Sequence, residues 1–85
     1  MNYGFGEITA DAGSVVQVTF DRQSNVMLLD PSNYSSFRSG SSFHYHGGWM
    51  TQSPCRLVVP RTGYWYVVVD PRGGAVRFSI QVLPA

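Results

Sequence analysis

The 85-residue sequence predicts an all-β fold. We expect a single compact, mostly antiparallel β-sandwich (jelly-roll-like) of about seven or eight short strands, with at most one short helical segment of one or two turns. Three observations support this prediction. The length is that of one domain, residues 1–85. Apolar and polar residues alternate along several segments, as in strands with one buried face. Turn-forming residues separate these segments at short intervals.

Five segments have the composition of strands. Residues 16–20, 55–59 and 76–82 alternate between apolar and polar side chains, which is typical of strands with one face on a core and one in water. Residues 26–29 and 64–69 are apolar on both faces. We therefore expect these two to be central strands, or strands whose second face meets a loop or another subunit.

Gly, Pro, Asn and Asp mark the turns between these strands. Turns are predicted at residues 11–13, 21–25, 47–48, 60–63 and 71–74. Trp49 directly follows the predicted turn at Gly47 and Gly48, so it should lie at a sheet edge or a loop tip.

The one helical candidate is residues 32–38. Asp30 or Ser32 could cap its first turn, Pro31 fits near that turn, and Gly40 fits at the end.

Charge is unevenly distributed along the chain. Residues 1–30 carry one Arg against four acidic residues, whereas residues 31–69 carry three Arg, no acidic residue and eight of the twelve aromatic residues. The net charge is only +1, so nucleic acid is not an expected partner. No apolar run approaches the roughly 20 residues that span a bilayer, so no membrane partner is expected either.

A single cysteine, Cys55, cannot form an internal disulfide, and the first residues lack the pattern of a signal peptide. We therefore expect a cytoplasmic protein.

Residues 25–30, 32–34, 45–48, 53–54 and 63–70 together resemble a family of small bacterial domains of unknown function. The resemblance covers nearly the whole chain. It implies a compact β-sandwich in the bacterial cytosol, found alone or as an accessory module beside signalling or defence-type domains. The family has no established activity, so the resemblance implies no functional residues.

Catalytic and metal-binding patterns are weak. His44 and His46 would share a face of a strand, as two metal ligands do, but no acidic residue or further His follows closely. Cys55 occupies the apolar phase of its strand, which predicts a buried, inert thiol. No nucleophile motif or phosphate-binding loop is present in the sequence. The sequence therefore favours a binding protein over an enzyme, and we expect no cofactor.

Aromatic and basic residues form the remaining candidate site. If Trp65 points inward with Val67 and Val69, then Tyr64 and Tyr66 face the other way and can stack on a ligand. The candidate ligand-binding residues are Arg38, Tyr45, His46, Trp49, Arg56, Tyr64 and Tyr66. The alternative is that these side chains serve mainly the core and subunit contacts.

Three functional hypotheses stay open at this point. The first is a non-catalytic interaction or sensor module that holds a partner protein or a small anionic or polyhydroxy ligand along residues 38–66. The second is a structural homo-oligomer such as a homodimer, which would bury Met27, Leu29, Val58 or Val68 between subunits. The third is a metal-dependent enzyme that uses His44 and His46.

Overall fold

Seven β-strands in two sheets and one helix make up residues 3–85, the part of the chain that the computed structural model describes. The elements in chain order are β1 (Gly4–Ala10), β2 (Val15–Phe20), β3 (Ser24–Leu29), α1 (Pro31–Ser39), β4 (His46–Met50), β5 (Cys55–Val58), β6 (Gly63–Asp70) and β7 (Phe78–Leu83). One sheet has the strand order β1-β6-β3-β4 and the other the order β5-β2-β7. Every strand pair is antiparallel. The predicted antiparallel β-sandwich is confirmed.

The chain changes sheet at almost every connection. Only β3 and β4 are both consecutive and paired, and α1 lies between them. The other connections between consecutive strands cross from one sheet to the other. Each strand of the sandwich is therefore held by segments that are distant in sequence.

The main core lies between the two sheets. Alternate residues of β2 and β6 point into it, including Val16, Val18, Trp65, Val67 and Val69, and each is at most 2% exposed. Complete burial of such side chains stabilises the fold by roughly 1.5–3 kcal/mol each. The period-two pattern predicted this core, and Trp65 points inward as expected.

A second, smaller core covers the outer face of the four-stranded sheet. Met27, Leu29 and Val68 pack there against Tyr34 and Phe37 of α1. This contact explains why β3 and β6 are apolar on both faces. The prediction that these three sheet residues lie between subunits is wrong, because the helix of the same chain already buries them. Val58, the fourth residue of that prediction, is 62% exposed on the other sheet.

Helix α1 has the predicted caps. The Asp30 side chain accepts a hydrogen bond from the Asn33 N–H at 2.8 Å, and Pro31 is the first helical residue. Gly40 ends the helix at φ 80°, a left-handed conformation that glycine adopts without strain. With nine residues the helix is about half a turn longer than predicted. No helix in residues 3–85 is both long and apolar enough to cross a membrane.

Two strands were not predicted, and each of them contains two glycines. In β1, side chains of β7 leave no room for a Cβ, with Phe78 over Gly4 and Ile80 over Gly6. In β4, Gly47 and Gly48 pair with β3, so the turn predicted at this point is wrong. The C-terminal strand β7 begins at Phe78, two residues after the predicted start.

Candidate functional site

Aromatic rings connect along the outer face of the four-stranded sheet, and we call this surface the aromatic face. Its members are Tyr3, Phe5, Tyr34, Phe37, Phe43, Tyr45, Tyr64 and Tyr66. The closest contact is a parallel stack of Tyr34 on Tyr66, with ring centroids 3.9 Å apart and an interplanar angle of 8°. The outward orientation predicted for Tyr64 and Tyr66 is confirmed.

A cleft of about 430 Å³ opens beside this stack, and we call it the α1 cleft. Its lining residues are Pro31, Tyr34, Ser35, Arg38, Ser39 and Tyr66. Helical spacing places Ser35, Arg38 and Ser39 on one side of α1. The Ser35 hydroxyl and the Arg38 guanidinium face the cleft, whereas the Ser39 hydroxyl donates to the Ser36 carbonyl oxygen at 3.1 Å. The Arg38 guanidinium lies 6.0 Å from the centroid of the Tyr34 ring. Among residues 3–85 the ion pair that forms joins Arg61 to Asp30, and Arg38 pairs with no carboxylate.

Two tyrosine hydroxyls of the aromatic face, those of Tyr34 and Tyr64, stay protonated at neutral pH. The Tyr64 hydroxyl donates a hydrogen bond to the Glu7 carboxylate, and this contact raises the pKa of Tyr64 to about 12. Burial, together with the neighbouring Tyr3 hydroxyl, raises the pKa of Tyr34 to about 12. These two hydroxyls therefore do not act as bases, and the single proton of Tyr64 is already donated to Glu7.

A second constellation lies where α1 begins, and we call it the Trp65 notch. The Arg61 Nη2 donates to the Asp30 Oδ2 at 2.7 Å, and the Arg61 guanidinium carbon lies 4.9 Å from the centroid of the Trp65 ring. The His46 ring meets Trp65 edge-on at 6.0 Å. Clefts of about 200 and 160 Å³ flank Arg61, and Asp30, Arg61 and Trp65 line both of them.

The Asp30 carboxylate of the notch is held in its charged form. A hydrogen bond from the Asn33 N–H is the main cause that keeps the pKa of Asp30 below its usual value, and the Arg61 guanidinium adds to this effect. Burial opposes the shift.

The structure brings together only part of the predicted ligand-binding set. Arg38 and Tyr66 line the α1 cleft, Tyr64 meets Tyr66 edge-on, and Tyr45 belongs to the same aromatic face through Phe43. His46 lies at the notch instead.

Trp49 and Arg56 lie elsewhere. Trp49 is on the edge strand β4, as predicted, is 47% exposed, and has the Arg72 guanidinium 5.9 Å from its ring centroid. Arg56 does not join the others, because its strand β5 belongs to the second sheet, where its Nε donates to the Gln17 Oε1 at 3.0 Å.

The two histidines lie at the surface, and the cysteine is buried. Both His44 and His46 are exposed, but His44 precedes β4, so the assumption that both occupy one strand is wrong. Across residues 3–85 no group of three His, Cys, Asp or Glu side chains could hold a metal ion. Cys55 is buried, as predicted, and burial raises the pKa of its thiol.

Sequence reasoning missed several residues of these sites. Ser35 lies three residues before Arg38 and four before Ser39, and a helical projection of residues 31–39 would have shown these neighbours. Arg61 carried no signal, because it lies in a turn and its partner Asp30 is distant in sequence.

These features define a small antiparallel β-sandwich with one sheet face covered by a short helix and lined with aromatic side chains. Residues 2–85 match the family model described as a domain of unknown function, DUF1883, and the chain belongs to that family. The resemblance noted in the sequence is thereby confirmed. The comparisons with curated proteins and with solved structures each gave no match.

Proposed function

We propose that this domain is a non-catalytic binding module whose α1 cleft holds a small ligand with a polyhydroxy skeleton and an anionic group. The observation that carries the proposal is the Arg38 guanidinium, which reaches the cleft without a carboxylate partner in residues 3–85 and stands beside the Ser35 hydroxyl and a tyrosine stack. A sugar phosphate or a sugar acid is the simplest compound of this kind.

The chemistry of the lining residues supports this ligand class. A guanidinium binds phosphate or carboxylate through two parallel N–H donors. Serine hydroxyls both donate and accept, as sugar hydroxyls require. The exposed ring of Tyr64 and the free edge of the half-buried Tyr66 offer apolar area to a sugar ring. A volume of about 430 Å³ is within the range of small-molecule sites.

The same lining supports binding rather than catalysis. It contains no His, Cys, Asp or Glu, the side chains that most often supply general acids, bases and nucleophiles. The buried thiol of Cys55 lies in the main core, away from this surface.

Titration calorimetry with glucose 6-phosphate, glucose and inorganic phosphate tests the proposal. We expect the sugar phosphate to bind more tightly than either of its two parts, because only it can contact Arg38 and the tyrosines together. The substitution Arg38→Gln should weaken binding at least tenfold, about 1.4 kcal/mol. The matched control is Arg56→Gln, which removes the same charge from the opposite sheet and should leave binding unchanged.

Binding that Arg38→Gln and Arg56→Gln weaken equally would place the interaction elsewhere and reject the cleft. Absence of heat with all three probes would reject this ligand class.

A homodimer is the second candidate, and one observation favours it. Strand β1 is an edge strand of seven residues that contains no Pro and no Lys, the residues that commonly protect sheet edges. Phe5 on the same strand is 46% exposed. The substitution Phe5→Ser removes this exposed apolar side chain and keeps Arg38, so its effect on self-association separates the homodimer from the ligand-binding candidate.

A further inference from the structure

Arg61 occupies the Trp65 notch with its own guanidinium. Its Nη2 donates to the Asp30 Oδ2 at 2.7 Å, and its guanidinium carbon lies 4.9 Å from the Trp65 ring centroid. An aromatic face next to a carboxylate is the environment that recognises a guanidinium group. The notch therefore displays the chemistry that fits it.

The rest of the notch holds its two recognition groups in place without help from the Arg61 side chain. The Asp30 Oδ1 accepts from the Asn33 N–H at 2.8 Å and from the Asn33 Nδ2 at 3.0 Å, which leaves Oδ2 directed at the guanidinium. The Trp65 Nε1–H donates to the backbone carbonyl of residue 61 at 3.1 Å, a contact that any residue at this position preserves. The site is preorganised for a guanidinium group from any source.

Arg61 itself is held loosely. Its side chain is 62% exposed and belongs to the turn before β6. Solvent-exposed ion pairs are individually weak, so the Arg61 side chain can leave the notch, and its departure uncovers the face of Trp65, which is 2% exposed while Arg61 covers it. The clefts of about 200 and 160 Å³ on its two sides provide room for the aliphatic part of another arginine.

We infer that the Trp65 notch is a recognition site for an arginine side chain of a partner protein, and that Arg61 fills it in the free domain. On binding, the partner's guanidinium replaces that of Arg61 against Asp30 and Trp65, and Arg61 turns into solvent. This site is separate from the α1 cleft and takes a cation rather than an anion, so it goes beyond the proposed function.

The charge of Asp30 supports the exchange. Its pKa is lowered chiefly by the Asn33 N–H and only in a smaller part by Arg61. The carboxylate therefore stays ionised at neutral pH while Arg61 is displaced. Arg61 also competes with the partner for the notch. The apparent affinity for the partner is therefore the intrinsic affinity multiplied by the fraction of time that the notch is open.

The substitution Arg61→Ala removes the competitor and tests the inference. The chain has two Trp residues, so the Trp49→Phe background makes fluorescence report on Trp65 alone. The probe is N-acetyl-arginine amide, which has a guanidinium and no carboxylate. We expect Arg61→Ala to bind it at least tenfold more tightly than the background protein, which should still bind it weakly.

Matched variants and probes identify the chemistry. Adding Asp30→Asn to Arg61→Ala should abolish most of the gain, since Asn keeps the helix cap but removes the charge. N-acetyl-lysine amide should bind more weakly than the arginine probe, because an ammonium group lacks the planar fork. Thermal unfolding of each variant verifies that it is folded.

Equal affinity of the Arg61→Ala and background proteins for the arginine probe would overturn the inference, as would affinity that does not depend on Asp30. No change in Trp65 fluorescence of the background protein at saturating probe would show that Arg61 is not exchangeable and would overturn it as well. Because Arg38 is intact in all these variants, failure here leaves the α1 cleft untouched.

Discussion

Asp30 joins two parts of the molecule through one carboxylate. One oxygen caps α1 by accepting from Asn33, and the other pairs with Arg61 in the turn before β6. The helix covers the second core, so the cap stabilises more than the helix alone. Asp30 is therefore the charged group whose loss should be easiest to measure.

Replacement of Asp30 by Ala should lower the free energy of unfolding by about 1 kcal/mol at pH 7, the usual cost of losing a helix cap. The native-state pKa of Asp30 is lowered, so its contribution is present above the unfolded pKa of about 3.9 and is lost as pH falls through the lower native value. The difference between wild type and Asp30→Ala should therefore shrink as pH falls below about 3.9. Urea denaturation of both proteins at neutral and acidic pH measures this difference in the free energy of unfolding.

The control is Asp30→Asn, which retains a capping oxygen and should cost less than Ala at pH 7. A cost of Asp30→Ala that is the same at acidic and neutral pH would contradict the assignment of this effect to the carboxylate.

Two positions require glycine, each for a different physical reason. Gly40 ends α1 in a left-handed conformation and has no heavy atom near the position of a Cβ. Gly47 lies inside β4 at φ 129°, and a Cβ there would collide with the carbonyl oxygen of Val26. Gly47 therefore allows the backbone of β4 to come close to β3, and it does not form a turn.

We expect Gly47→Ala to be considerably more destabilising than Gly40→Ala. Gly40→Ala should cost about 1 kcal/mol, because it introduces only an unfavourable backbone conformation. Gly47→Ala adds a collision with the backbone of the neighbouring strand to a backbone conformation that L side chains rarely adopt, and should cost about 3 kcal/mol or more. Denaturant unfolding of both variants measures the difference, and equal costs would contradict the steric argument.

Prediction from sequence succeeded for elements in which side chains carry the pattern. The alternation in β2, β5 and β7 and the apolar runs of β3 and β6 were visible because their apolar residues face a core. It failed for β1 and β4, where glycine has no side chain to show a period and is also the usual residue of turns.

The candidate site was partly predictable for the same reason. Strand period placed Tyr64 and Tyr66 on the outer face of the sheet once Trp65 was assigned to the core. No local pattern could show that Arg56 belongs to the other sheet, or that Arg61 meets Asp30, because sheet order depends on long-range pairing.

Two cores that share the strands β3 and β6 organise the whole molecule. The helix covers the middle of the outer sheet face and leaves β1 at the open edge, with Phe5 and Tyr64 exposed.

The cytoplasmic location and the absence of nucleic-acid and membrane partners stay predictions.

The homodimer candidate predicts that the protein self-associates in a concentration-dependent way through β1. Sedimentation equilibrium at micromolar concentrations should then show that Phe5→Ser shifts the protein toward monomer, because it removes exposed apolar area beside the edge strand. The matched control is Val58→Ser, an exposed apolar residue on the other sheet. A wild-type monomer throughout this range would dispose of the dimer and leave the α1 cleft as the proposed function.

The order of strand pairing also has a consequence for synthesis on the ribosome. The first strand pairs with β6, and β2 pairs with β5 and β7, so the N-terminal strands β1 and β2 meet their first neighbours only once about two thirds of the domain has been translated. Until then the nascent chain exposes the apolar residues of β2 without a partner strand. The domain must therefore fold after, rather than during, most of its translation, and chaperones that shield apolar nascent segments should matter for its yield.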